Sequence, residues 1–206
     1  MSDRIPCRLG ILVSGSGTNL QAIIDRIESG EINAEIVCVI SNKADAFALT
    51  RASRHGIPVV VHENEKFSGR RPYDAATVEI LRCHNVDLVI LAGYMRILSD
   101  VMVNAFPQAI LNIHPALLPS FPGLHAQQQA LDYGVRFSGC TVHFVDCGTD
   151  TGPILLQSVV AVEQDDTEET LSSRIQKAEH ETFAEAIKLL VEGRVKVDGR
   201  KVLILE

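Results

Sequence analysis

Asn112 and His114 stand one residue apart in Leu111-Asn112-Ile113-His114-Pro115, where an apolar run ends. Strand alternation would put both on one side, with Ile113 opposite. Asn112 offers a neutral N–H donor, and His114 can act as an acid or a base near pH 7. A polar strand end satisfying loop carbonyls is the plainer alternative. The next stretch, His114 to Gly123, holds Pro115, Pro119 and Pro122 without periodicity. It is expected to be a fixed, irregular loop, and preorganised donors need such rigid support. A second loop, Asp146-Cys147-Gly148-Thr149-Asp150-Thr151-Gly152-Pro153, carries two acids. Acids in Gly/Pro loops are commonly turn formers, but a carboxylate beside His114 would raise its pKa and orient it. Spacing alone does not bring the two together.

A third candidate is Gly15-Ser16-Gly17-Thr18-Asn19, between an apolar run and a helical pattern. Backbone N–H groups at a helix start favour an anion, and glycine permits close approach. A tight turn capped by Thr18 or Asn19 is the alternative. A dinucleotide fits poorly, because the third glycine of the fingerprint falls at Leu20 and the second strand ends in Ser41-Asn42-Lys43, with no acid for a ribose. A phosphate monoester fits better. The run Leu91-Ala92-Gly93-Tyr94-Met95-Arg96-Ile97-Leu98 leaves another strand and could hold a flat heterocycle. It is equally a strand end plus a helix start. His55 and His84 read as helix ends, where a cation is favourable; His125 and His143 stay open.

These residues need elements to hold them. Short apolar runs at 9–13, 36–40, 59–61, 88–91 and 110–113 alternate with helical patterns near 20–27, 46–55, 73–84 and 100–106. That alternation implies right-handed crossovers and a mostly parallel sheet, with the near-continuous Val/Ile/Leu runs covered on both faces. A helix near 126–133 precedes strands at 140–145 and 154–162, with no long helix between them, so these two are expected to pair antiparallel at one edge. Asp166 with Glu169 suggests a helix cap before a long amphipathic helix ending at Gly193. Asp198-Gly199 signals a C-terminal hairpin. The expected fold class is α/β, a single-domain, open twisted sheet with an antiparallel edge and helices on both faces. The domain would span residues 1–206, its halves meeting near 105.

The chain has 206 residues, 46% of them hydrophobic, and 19 Lys plus Arg against 26 Asp plus Glu for a net charge of −7. Such acidity opposes nucleic-acid binding, and any anionic ligand must be held locally against the global field. Cys7, Cys38, Cys83, Cys140 and Cys147 form no Cys-x-x-Cys pair, so neither a metal site nor a disulfide framework is expected; Cys38 and Cys140 suit a core. With no signal-peptide pattern and no run near 20 apolar residues, a soluble cytoplasmic protein without membrane partners is expected.

Taken in order, residues 15–23, Ser41-Asn42-Lys43-Ala44-Asp45-Ala46, residues 91–98, Asn112-Ile113-His114-Pro115-Ala116-Leu117-Leu118-Pro119 and Asp150-Thr151-Gly152-Pro153 resemble the phosphoribosylglycinamide formyltransferases, folate-dependent formyltransferases with a Rossmann-like fold. The resemblance covers residues 9–193. It implies formyl transfer from 10-formyltetrahydrofolate to the amine of 5-phosphoribosylglycinamide in purine biosynthesis, directly through a tetrahedral oxyanion, without metal or NAD. It assigns catalysis to Asn112, His114 and Asp150, with Asn112 donating to the oxyanion, His114 donating a proton and Asp150 raising its pKa. It gives Gly17, Thr18 and Asn19 to the substrate phosphate, and Gln176 and Glu179 to the ribose. Folate contacts fall to Arg70, Met95, Arg96, Ile97, Leu98 and Asn112. The partners are small molecules, and a homodimer is left open. Methionyl-tRNA formyltransferase and formyltetrahydrofolate deformylase share part of the pattern but are longer. A catalytically silent nucleotide sensor would leave Asn112, His114 and Asp150 without a purpose.

Overall fold

The computed structural model describes residues 5–206, which form two compact units, one up to Leu111 and one from Asn112 onward. The first unit runs β1 (Cys7–Val13), α1 (Thr18–Glu28), β2 (Ala34–Ser41), α2 (Phe47–Arg54), β3 (Val59–Val61), α3 (Arg70–Cys83), β4 (Leu88–Leu91) and α4 (Asp100–Ala105), with a 3-10 turn at Asn64–Lys66. Its strand order is β3-β2-β1-β4, and β1 pairs parallel with both β2 and β4. Leu9, Ile11, Leu12 and Val13 are fully buried; consecutive rather than alternate burial is what a strand covered on both faces requires.

Helix α1 buries Leu20, Ile23 and Ile24, the spacing of one helical stripe. Neither Thr18 nor Asn19 is its cap: the N-cap is Gly17, with φ 72° and no capping side chain. That left-handed geometry suits glycine, and the position also lacks room, since a Cβ at Gly17 would lie 2.6 Å from Ala48 Cβ.

Strand β5 (Ile110–His114) begins in the first unit and ends in the second, which continues with α5 (Ala126–Tyr133), β6 (Phe137–Phe144), β7 (Ile154–Ala161), α6 (Glu168–Val191), β8 (Val195–Asp198) and β9 (Lys201–Ile204). Strands β6 and β7 pair antiparallel, with an irregularity at Val142/His143, and β8 and β9 form the C-terminal hairpin. The α/β class, the parallel sheet and its antiparallel edge are therefore as the patterning implies.

The proline loop after β5 is pinned by side chains of the antiparallel edge. Thr141 Oγ1 donates to the Ala116 carbonyl at 2.7 Å and accepts from the Leu118 amide at 3.0 Å. Gln157 Nε2 donates to the Leu118 carbonyl at 3.0 Å, and the Leu118–Pro119 bond is cis. Buried backbone polar groups without a ladder find side-chain partners here.

Helix α6 corrects the capping assignment. Its reciprocal box joins Thr167 and Thr170, because Asp166 is engaged by Arg174, whose guanidinium donates to it at 2.8 and 2.9 Å. Asp166 also accepts from the Glu163 amide at 2.8 Å. The Arg174 hydrogen bonds hold the Asp166 carboxyl well below the usual carboxylate range. A carboxyl depressed in the folded state stabilises above its unfolded pKa of about 3.9 and loses that contribution as the pH falls through the folded value. Asp166→Asn should therefore lower the urea midpoint at pH 7, with the gap to the wild type closing as the pH drops below about 4. An equal gap at both ends of a pH series of urea titrations would contradict the assignment.

Candidate active site

The end of β5 carries Asn112 and His114, and the end of β6 carries His143. The two histidines face Asp150, in the loop before β7, and Asn112 reaches His143. His114 Nε2 lies 2.8 Å from the Phe121 carbonyl, which only accepts, so Nε2 bears the proton and Nδ1 presents a lone pair. That Nδ1 is 3.5 Å from Asp150 Oδ2. His143 follows the same logic: its Nδ1 donates to the Phe144 carbonyl at 2.9 Å. His143 Nε2 then accepts from Asn112 Nδ2 at 3.1 Å and lies 3.7 Å from Asp150 Oδ1. One Asn112 N–H is thereby fixed and the other remains to be directed at a ligand.

Asp150 has φ 55°, a left-handed conformation that Asp tolerates better than most residues. Its Oδ2 also accepts from the Gly123 amide at 2.8 Å, so the proline loop and the acid loop hold each other. Asp146 is the turn former of the pair, accepting from the Gly148 amide at 3.0 Å and the Thr151 hydroxyl at 2.7 Å. Two backbone approaches leave no space for a side chain. A Cβ at Gly152 would lie 1.7 Å from the Phe144 carbonyl oxygen, and one at Gly139 1.9 Å from that of Ser158.

Burial pushes the His114 pKa down; its hydrogen bond to Phe121 and the charge of Asp150 push it up, but by less. The expected upward contribution of Asp150 is thus present, and desolvation outweighs it. Burial pushes Asp150 up, yet His143, the Gly123 amide and His114 together bring its pKa below the ordinary value. At neutral pH the Asp150 carboxylate faces a His114 imidazole that burial keeps largely neutral.

In the first unit, residues 15–19 join β1 to α1. Arg51 Nε donates to the Ser16 carbonyl at 2.9 Å, placing a fixed cation behind this loop. The loop leaves β1, and residues 92–98 leave β4, its neighbour. The strand order reverses there, where open α/β sheets bind ligands. Met95 is 66% and Ile97 51% exposed, while the Arg96 guanidinium lies 4.4 Å from the centre of the Tyr73 ring. Arg96 Nε is buried without a hydrogen-bond partner among the described residues. Arg70 is exposed at the start of α3. Gln176 and Glu179 share one face of α6, and burial, with a smaller push from the nearby Glu179 charge, raises the pKa of Cys140 on β6.

Sequence reasoning left His143 open, although Thr141 and His143 alternate along β6 as Asn112 and His114 do along β5; that repeated pattern was the available signal. His125 lies apart from the cluster, exposed at the start of α5, with Nδ1 3.6 Å from Glu168.

A donor amide, two oriented imidazoles and a low-pKa carboxylate are gathered around the ends of β5 and β6, an arrangement suited to acyl transfer. The chain belongs to the formyl transferase family, whose model matches residues 7–187. It is 43% identical to the phosphoribosylglycinamide formyltransferase of Haemophilus influenzae, over 92% of this chain and 90% of that one. It is 48% identical to the trifunctional purine biosynthetic protein adenosine-3 of Drosophila melanogaster, over 90% of this chain. It spans only 14% of that relative's length. The crystal structure of glycinamide ribonucleotide transformylase 1 from Symbiobacterium toebii superposes with a TM-score of 0.96 at 51% identity, covering 98% of this chain and 95% of that one. Among the described residues, no helix is long and apolar enough to cross a membrane.

The electrostatics are directly measurable. An NMR titration of the His114 ring should give a midpoint below the ordinary value of about 6.5. In Asp150→Asn the midpoint should fall further, because the carboxylate charge that supports the imidazolium is gone. A midpoint that rises in the variant would mean that Asp150 does not face His114 as an anion.

Proposed function

We propose that this chain transfers the formyl group of 10-formyltetrahydrofolate to the primary amine of 5-phosphoribosylglycinamide, giving phosphoribosyl-N-formylglycinamide and tetrahydrofolate in purine biosynthesis. The observation that carries this reading is the Asn112–His143–Asp150–His114 cluster in a member of the formyl transferase family. The amine lone pair forms the new C–N bond at the formyl carbon, and the carbonyl electrons move onto oxygen. Asn112, its amide oriented by His143, donates to that oxyanion. The amine proton passes to the His114–Asp150 pair, with Nδ1 as the receiving atom on the ring. The bond to the folate nitrogen then breaks as that nitrogen takes the proton. His114 is neutral at the outset, so it accepts a proton before it donates one. Direct transfer needs no covalent intermediate, metal or nicotinamide.

Gly17, Thr18 and Asn19 hold the phosphate with first-turn amides of α1, and Gln176 and Glu179 take the ribose hydroxyls. Arg70 and residues Met95, Arg96, Ile97 and Leu98 hold the folate, Arg70 as a cation for its carboxylates. Asn112, His114, His143 and Asp150 come from one chain, so the chemistry calls for no second copy. Both substrates are small polar molecules, and we place the reaction in the cytoplasm, without nucleic-acid or membrane partners.

A folate-dependent formylation assay tests the reading, with glycinamide riboside lacking the phosphate as comparison. Asn112→Ala should lower kcat by about 100- to 1000-fold, the usual loss for one oxyanion donor. His143→Leu should lower kcat in the same direction with the nucleotide KM nearly unchanged. Near-wild-type turnover in Asn112→Ala would overturn the assignment. Thr18→Ala combined with Asn19→Ala should raise the nucleotide KM more than the folate KM, and equal effects would make residues 15–19 a structural turn.

A further inference from the structure

Ser14 lies between the end of β1 and the loop at 15–19, and its side chain is buried. Its hydroxyl donates to Asn42 Oδ1 at 2.6 Å and accepts from the Met95 amide at 2.9 Å. Asn42 follows β2, and its Nδ2 donates to Asn64 Oδ1 at 3.4 Å. One hydroxyl therefore joins the carboxyl ends of three adjacent strands, β2, β1 and β4, at the point where the winding of the sheet reverses. A serine hydroxyl rotates freely unless its proton has a fixed acceptor. Asn42 supplies that acceptor and leaves the oxygen lone pairs facing Met95.

The segment that this bond holds buries its Tyr94 and Leu98 side chains, but not those nearest the bond. Gly93 turns it with φ 73°, and the Met95 and Ile97 side chains are mostly exposed. It is pinned elsewhere by polar contacts: Tyr94 Oη donates to Tyr73 Oη at 3.1 Å, and the Ser99 amide donates to Asp74. Among the described residues, what holds Met95 is the hydrogen bond from its amide to Ser14.

We propose that Ser14 is a positioning residue for the folate-binding segment, fixing residues 95–98 to the loop that takes the phosphate. The proposal rests on the formyl-transfer reading for the identity of the two ligands. Ser14 touches neither ligand and acts through the Met95 backbone. Its removal leaves a half-buried acceptor at Asn42 and a main-chain donor at Met95 without this partner, a change felt first by whatever binds on residues 95–98.

Steady-state kinetics with each substrate varied in turn, beside thermal unfolding, tests this. Ser14→Ala should raise the KM for 10-formyltetrahydrofolate about tenfold, a loss typical of one hydrogen bond with its partners left unpaired. The nucleotide KM should stay within about twofold and kcat should be largely kept. Ser14→Thr, which retains the hydroxyl, should bring the folate KM back toward the wild-type value. Asn42→Ala removes the acceptor that orients the hydroxyl and should shift the folate KM the same way by less; it also serves if Ser14→Ala fails to fold. A folate KM within twofold of wild type in both variants would overturn the proposal, as would equal rises in the two KM values accompanied by a fall in Tm. If the wild-type chain does not formylate the nucleotide, it is the formyl-transfer reading that fails.

Discussion

Two main-chain carbonyls, those of Phe121 and Phe144, decide what the imidazoles beside Asp150 can do. Each takes the N–H of one ring, so His114 Nδ1 and His143 Nε2 must both present lone pairs toward the carboxylate. Neither ring can exchange its tautomer without losing a buried hydrogen bond. Asn112 is then oriented by His143, because only its Nδ2 can donate to that lone pair. The glycine at 152 follows from the same constraint, since a side chain there would strike the Phe144 oxygen. A site that depends on carbonyl positions needs a backbone that does not drift. Thr141 and Gln157 supply that by tying the proline loop to β6 and β7, and the Arg200 guanidinium donates to the Thr151 carbonyl at 2.9 Å from the C-terminal hairpin.

A net charge of −7 sits oddly with the two anionic substrates proposed for this chain until the local geometry is considered. Helix α1 starts at a left-handed glycine with no capping side chain, so no side-chain cap occupies its first-turn amides, which suit an anion. Arg51 braces the loop from behind while its guanidinium lies 5.0 Å from the centre of the exposed Phe47 ring. Gln21 ties α1 to α2, accepting from Arg51 at 3.4 Å and meeting His55 at 3.1 Å. Backbone dipoles and one braced cation act over a few ångströms, whereas the surplus of carboxylates is spread over the surface and screened.

Much of this was legible in the sequence. Strands such as β3 and β4, and helix α5, follow directly from apolar runs and turn signals, and the pairing of Asn112 with His114 follows from alternation at a strand end. What was hidden depends on contacts between distant segments. Asp166 looked like a cap because it stands just before a helix, but Arg174 two turns on competes for it and leaves the capping to Thr167. His143 stayed open because its meaning lies in the register of β6 beside β5, which periodicity does not encode. The need for glycine at 139 and 152 arises from a facing carbonyl, invisible until the antiparallel pair is built. By spacing alone Asp146 and Asp150 are equivalent; the left-handed backbone at Asp150 separates the turn former from the acid that faces the two histidines.

The protonation pattern of the cluster has a consequence for catalysis. An imidazolium already facing Asp150 would make the pair neutral and give it no room for the amine proton. Burial prevents this by holding His114 neutral, while the Gly123 amide, donating to Oδ2, helps keep Asp150 ionised. The pair therefore starts at −1. In the proposed transfer it takes up one proton as the formyl oxygen gains one negative charge. The total charge of the buried site is unchanged as the tetrahedral intermediate forms; the negative charge only moves from Asp150 toward the oxygen facing Asn112. Keeping that total constant avoids the several kcal/mol that new net charge in a desolvated site costs. The depressed pKa of His114, a defect in a simple proton donor, is what makes that exchange of charge feasible.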